Sequence, residues 1–316
     1  MPYNNVTDSG DVGKAIPEQT ATEILKNIPQ ESAALSLFRS IPLSTRTYNQ
    51  PVLSALPLAY FVNGDTGLKQ TTELAWANKV MTVEELAVIV PIPQNVLDDM
   101  SFDFWTEVRP NIEEAFGRAI DNAIFFGVNK PASWPTDIVA AAVAAGNTVT
   151  QLSADTSVNT VDKISDVWAT VEADGYDVNG MIAPRSLRGT FRKFRDTTGQ
   201  RLMDFTNNTY EGVDVRFLMD GLWPTGATPP GNYARVIAGD FTRGIIGLRK
   251  DLTFELFREG VITDAGNLVV FNLMQQDMVA MRVTMRLAWQ VANPINYAQS
   301  VEANRYPFGV LRSPTS

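Results

Sequence analysis

Apolar residues recur along this chain at helical spacing, then at strand spacing, then at helical spacing again, and each change of period marks an element. Residues 1 to 15 are polar, without periodicity, and read as a flexible or partner-dependent arm. From Pro17, Ala21, Ile24, Leu25 and Ile28 follow a helical period until Pro29 stops it, and a second short helix carries Ala34, Leu35, Leu37 and Phe38. Neither helix is long enough to hold alone, so both must dock. Residues 53 to 92 predict two extended strands joined by a turn at Asn63-Gly64-Asp65-Thr66-Gly67. Trp76, Val80, Leu86, Val88, Val90 and Ile92 all fall on even positions, the period of a two-faced strand. A ribbon of that length is marginal by itself, so a neighbouring subunit is its expected support.

Beyond Pro91 and Pro93 the period returns to helical, with Ser101 as N-cap. Trp105, Val108, Ile112, Ala115, Phe116, Ala119, Ile120, Ala123 and Ile124 form one apolar stripe that ends at Gly127. Pro110 interrupts its hydrogen bonding and predicts a bend near Glu107. Residues 128 to 159 read as loops, an alanine-rich stretch and linkers. A helix from Val161 to Ala173 then presents Ile164, Val167, Trp168 and Val171, is closed by Asp174-Gly175, and leads to a strand from Val178 to Ala183. Pro184 opens a helix with Leu187, Phe191 and Phe194. Strands follow at Val213 to Leu218, Arg235 to Ala238 and Gly244 to Phe257, with a turn-rich loop from Pro224 to Asn232. The last long strand, Met278 to Val291, sets Val279, Met281, Val283, Met285, Leu287 and Trp289 on one face before Pro294 ends it. The fold class is α+β, with no internal repeat.

Composition narrows the chemistry. A chain of 316 residues with 45% hydrophobic and 19% charged residues buries a substantial core in one or two domains. It contains no cysteine, hence no disulfide and no thiolate, which fits a reducing cytosol. It contains no histidine either, the commonest acid–base group near neutral pH. The net charge of −9, from 35 acidic and 26 basic residues, argues against a protein built to grip nucleic acid. No apolar leader and no long apolar span is present, so a soluble, cytosolic chain is expected, without membrane contact. The carboxylate pairs Glu84-Glu85, Asp98-Asp99 and Glu113-Glu114 are sequence neighbours, which point to different faces and do not flank a substrate. Gly64 to Lys69 lacks the Gly-Lys-Ser/Thr ending of a phosphate loop and runs into a strand. No catalytic, cofactor or metal residue is therefore assigned. An α/β enzyme whose hairpin mediates oligomerisation would need a carboxylate or lysine mechanism, for which the chain carries no motif.

The order of parts resembles the tailed-phage major capsid proteins of the Hong Kong ninety-seven type, over roughly Ile16 to Gln299. The strings that carry the resemblance are Ile16-Pro17-Glu18 with Ile24-Leu25, Trp76 through Pro93, Asp121 through Gly127, Gly239-Asp240-Phe241, and Arg282 through Val291 followed by Asn293-Pro294. It implies an N-terminal arm (1–52), an extended β-hairpin loop (53–92), a peripheral lobe with a long spine helix (93–156 and 275–291), and an axial α/β lobe with the C-terminal tail (157–274 and 292–316). It further implies self-assembly into pentamers and hexamers of an icosahedral head in the bacterial host cytoplasm. Packaged double-stranded DNA would be bound without sequence specificity, with a portal protein and a decoration protein as further partners. The spine helix begins only about 100 residues after Met1, so scaffolding is expected to be a separate protein or absent. The alternative is an encapsulin, a related bacterial shell around a cargo enzyme, against which the polar arm and long hairpin weigh.

The resemblance also marks inter-subunit contacts. Lys69 lies past the hairpin turn, where some relatives bond a lysine covalently to an asparagine of another subunit, here Asn293 or Asn296; the plainer reading is a solvated lysine. Trp76 belongs to the loop that reaches a neighbour. Arg185, Arg188, Arg192, Lys193, Arg195 and Arg201 concentrate positive charge opposed only by Asp196. Contact with acidic neighbours is favoured there over DNA, against a merely solvated face.

Overall fold

The computed structural model describes residues 32–62, 68–69, 71–99, 104–151, 157–195, 198–218, 223, 234–264 and 266–312. The polar arm, the helix from Pro17, the turn at Asn63, the Ser101 cap, Asp196 and the loop from Pro224 to Asn232 lie outside them.

In chain order the helices are α1 (Ala33–Leu37), α2 (Gln94–Asp99), α3 (Phe104–Phe126), α4 (Ile138–Ala145), α5 (Ser157–Ala173) and α6 (Arg188–Phe191). The strands are β1 (Arg39–Pro42), β2 (Thr47–Ala55), β3 (Ala75–Thr82), β4 (Glu84–Pro93), β5 (Thr148–Thr150), β6 (Gly180–Pro184), β7 (Met203–Asp204) and β8 (Thr209–Tyr210). They continue with β9 (Val213–Leu218), β10 (Ala234–Gly239), β11 (Gly244–Phe257), β12 (Val261–Thr263), β13 (Val269–Asn272), β14 (Met278–Val291) and β15 (Phe308–Arg312).

Two sheets organise the protomer. The first runs β1-β11-β14-β4; β14 pairs antiparallel with β11 on one side and β4 on the other, and β1 adds in parallel to β11. The odd-numbered face of β14 does what its alternation predicts: Met281, Val283, Met285, Leu287 and Trp289 pack with Ile112, Phe116, Ile120 and Ile124 of α3 in the main core. The second sheet runs β5-β15-β10-β6-β9-β8-β7. Its two faces separate by parity. Ile182, Ile237, Phe308 and Val310 join the main core, while Met181, Ala183, Val236, Ala238 and Leu311 pack under α5 and α6 with Ile164, Val167 and Phe191. The main core is therefore shared between the two sheets, with α3 and α4 in it.

The spine helix runs through Pro110 for 23 residues and stops at Gly127, whose φ of +69° suits glycine. A side chain there would also strike the Asp137 carboxylate. Asp137 is already used, accepting a hydrogen bond from the Ala140 amide as the N-cap of α4.

The structure departs from the expected elements in four ways. The even-numbered stretch from Trp76 to Ile92 is two strands in different sheets: β3 pairs with β2 as a two-stranded ribbon, and β4 joins β14. Between them Val83 is buried with Met81 and Leu43, so the chain is pinned where it changes sheets. The ribbon thus begins at Thr47 rather than Leu53 and ends at Thr82 rather than Ile92. β11 pairs into the β14 sheet, and β5, before residue 157, belongs to the seven-stranded sheet. The alanine-rich stretch is a capped helix, α4, and Phe308–Arg312 is an inserted strand rather than tail. Finally, the helix opened by Pro184 is shorter than its periodicity suggested, a 3₁₀ turn at Arg185–Leu187 running into α6.

Candidate assembly surfaces

The arm is seated on a floor cleared of side chains. Asp121, buried on the spine helix, accepts hydrogen bonds from Ser32 Oγ (2.6 Å) and from the Ala33 and Ala34 amides (2.9 and 3.0 Å), capping α1 from another element. Burial pushes its carboxyl above the usual range, and the three hydrogen bonds pull against that shift. One turn earlier stands Gly117, where an added Cβ would meet Ser32 at 3.3 Å. Phe38 and Leu43 flank β1 and rest on Gly244 and Gly247 of β11, where any side chain would collide with them. Phe38 lies 5.9 Å from Phe125, 5.9 Å from Phe241 and 6.1 Å from Phe308, so one arm residue touches the spine, the second sheet's rim and β15. Sequence reasoning missed this seat. Its visible signal was glycine inside a long helix, where glycine costs about 1 kcal/mol and marks close approach.

The Gly239-Asp240-Phe241 string is a second junction. Gly239 has no room for a side chain against the Pro307 carbonyl, and Asp240 accepts from Asn179 (2.6 Å), the Thr242 amide (3.1 Å) and Arg243 Nε (3.0 Å). Phe241 then enters the aromatic group with Phe38 and Phe308.

The ribbon is tied at its root and bare along its length. Ile295 donates from its amide to the Leu53 carbonyl (3.0 Å), Tyr297 Oη donates to the Pro57 carbonyl (2.8 Å), and Lys79 pairs with Glu302. Beyond these ties Leu58, Phe61, Leu68, Leu74, Trp76 and Val80 face solvent, Trp76 at 67% exposure. Lys69 is exposed beside Leu68. Neither acceptor asparagine offers a free amide. Asn293 is buried, giving Nδ2 to the Arg305 carbonyl (2.6 Å) and receiving Tyr176 Oη (2.7 Å) and Arg305 Nε (2.9 Å) at Oδ1. Asn296 gives Nδ2 to the Asp174 carbonyl (2.6 Å).

The basic turn is partly assembled. Arg188 lies over the Phe205 and Phe217 rings (5.5 and 5.7 Å) and Arg192 over Phe205 (5.6 Å), so aromatic faces hold two guanidinium groups together. Arg195 instead donates to the carbonyls of Arg192 and Phe194 (2.8 and 2.9 Å). Arg185 is exposed. Among the described residues, no carboxylate pairs with Arg185, Arg188 or Arg192.

Comparison with known proteins gives these surfaces a context. The family model described as "Phage capsid family" matches residues 12–298. The curated major capsid protein of Staphylococcus phage 80alpha is 27% identical over 288 residues, 90% of this chain and 84% of that protein. A solved chain of Microbacterium phage Oxtober96 superposes with a TM-score of 0.83 at 34% identity, covering 97% of this chain and 99% of its own. One of Mycobacterium phage Cain gives 0.82 at 29% identity, over 99% and 100%. The expected Hong Kong ninety-seven type fold is thereby found.

Proposed function

The chain belongs to the phage capsid family, and from that premise we propose that it is the major capsid protein of a phage head, a structural subunit that self-assembles into the wall of the virion. The family match over nearly the whole chain carries this reading. The relatives above are phage proteins, which supports a viral head over an encapsulin shell. In this reading the subunits close into pentamers and hexamers around double-stranded DNA in the host cytoplasm. A portal protein, a separate scaffolding protein and a decoration protein complete the head.

The work is then geometric. The arm seat fixes where the chain enters the protomer, and the root of the ribbon fixes the direction in which it leaves. Trp76 and the apolar residues around it supply area to bury against a neighbour. Arg185, Arg188 and Arg192, without acidic partners of their own among the described residues, supply charge for the lobe-to-lobe contact around each capsomer centre. Lys69, exposed on the ribbon, acts as a solvated cation rather than as a covalent lock. Electron microscopy of the chain expressed alone tests the reading. Closed shells are expected, and a persistent small oligomer would sink it.

A further inference from the structure

The short helical segment packed on the seven-stranded sheet divides into two faces. Its backbone is helical from Arg185 to Arg192, a 3₁₀ turn running into α6. Leu187 and Phe191, with Phe194 just beyond, are buried in the core beneath. Arg185, Arg188 and Arg192 follow one another at spacings of three and four, so they share the other face. Guanidinium groups so spaced repel one another. The fold nonetheless gathers two of them on aromatic rings. Arg188 and Arg192 lie 5.5 and 5.6 Å from the centre of the Phe205 ring, and Arg188 lies 5.7 Å from that of Phe217.

Among the described residues, no carboxylate answers this charge. Asp204, next to Phe205 in the chain, accepts instead from the Thr206 amide (2.8 Å) and Asn207 Nδ2 (2.9 Å), and Asp214 on β9 faces Arg216 (3.5 Å). Arg188 Nε is buried and makes no hydrogen bond among the described residues, so the stripe has donor capacity left for an acceptor from outside. An arginine fork fits a carboxylate or a phosphate. Two forks gathered at one ring offer more N–H groups than the two oxygens of a single carboxylate satisfy, and a phosphoryl group with its further oxygens suits them better. In a chain of net charge −9 the stripe is also a local reversal of sign, which focuses a polyanion there. We propose that this face is an oligophosphate site, with Arg188 and Arg192 holding one phosphoryl group between them and Arg185 the next along the same polyanion. Two sources carry that chemistry, a free oligophosphate and the backbone of enclosed DNA. The site is a property of the protomer; only its use, neutralising the lobe-to-lobe contact proposed above, rests on the shell-subunit reading.

Titration calorimetry of the purified chain tests it, with inorganic tripolyphosphate in one arm and a short double-stranded DNA in the other. Saturable binding is expected, weakened at least about tenfold when Arg188→Gln and Arg192→Gln are combined. Arg249→Gln with Arg258→Gln removes the same charge from exposed positions on and just past β11 and should leave the affinity unchanged. Arg192→Lys keeps the charge but not the fork, and should bind more weakly than wild type. Tripolyphosphate bound more tightly than DNA upholds the site and gives a free oligophosphate as its source; the reverse order, with the same loss in the stripe variant, upholds it with the genome as source. No saturable binding in either arm, or equal weakening by the two double variants, overturns the site. Should the stripe variant not fold, Arg185→Gln at an exposed position carries the test, and an affinity equal to wild type overturns it. Failure of the wild-type chain to form shells would instead sink the shell-subunit reading and leave the titration as it stands.

Discussion

Trp289 and Trp76 both sit on regularly alternating strands, yet one is wholly buried and the other 67% exposed. Strand β14 is hydrogen-bonded on both sides and packed against the spine helix; β3 has one partner strand and solvent over its apolar face. The same strand chemistry therefore serves two ends. In the sheet it makes the protomer, and in the ribbon, on the function proposed above, it is held in reserve for another chain. A protomer that left such an apolar face bare for no purpose would aggregate.

The sharpest way to break this contrast is to truncate both tryptophans. Trp289→Ala should cost about 3–5 kcal/mol and leave little folded protomer, as chemical denaturation of the unassembled subunit would register. Trp76→Ala should leave that unfolding midpoint within about 0.5 kcal/mol while reducing shell yield in the microscope. If Trp76 proved as costly to the isolated subunit as Trp289, the division between the two strands would collapse.

Next in size is the arm seat. Asp121→Ala leaves the Ser32 hydroxyl and two amides without their acceptor, and should destabilise the subunit by about 1–3 kcal/mol in the same unfolding assay. The carboxyl also predicts a pH dependence. Because burial raises its pKa in the folded state, the folded protein holds that proton more tightly than the unfolded chain. Its contribution is therefore fully present below the ordinary carboxylate range and is lost as pH rises through the raised value. Asp121→Asn should flatten that part of the stability profile; an unchanged profile would remove the assignment. The smallest effect is at the ribbon root. Glu302→Ala breaks a partly exposed ion pair with Lys79, worth up to about 1 kcal/mol, and should show as faster amide exchange in β3 with the core strands unchanged.

These contrasts also show what the sequence could reveal. β9, β11 and β14 stand where their patterns placed them, and α3 follows its stripe, because each buries one face along its whole length. The break at Val83 was overlooked. Its signal is a local loss of parity, with polar Thr82 and Glu84 on even positions and apolar Met81 and Val83 on odd ones; to either side Trp76 and Val80 look outward whereas Leu86, Val88 and Val90 pack on the main core. Periodicity reports that a strand has two faces, and only pairing decides which face is covered. β15 was missed for the opposite reason. Its residues are buried on both faces, so no alternation marks it. The weak amphipathic signal of α4 follows from a helix nearly all apolar and small. Of the assembly surfaces, the ribbon and the arginine-rich turn were legible as local runs. The arm seat was not, because Asp121, Gly117, Gly244 and Gly247 come together only in the fold.

The double pairing of β14 has a mechanical meaning. A pull along this strand would load the rungs to β11 and those to β4 together, in shear, so that both ladders share the force. A container wall under tension from within is best served by a strand of that kind at its centre, with its weakly tied ribbon left free to follow the strain.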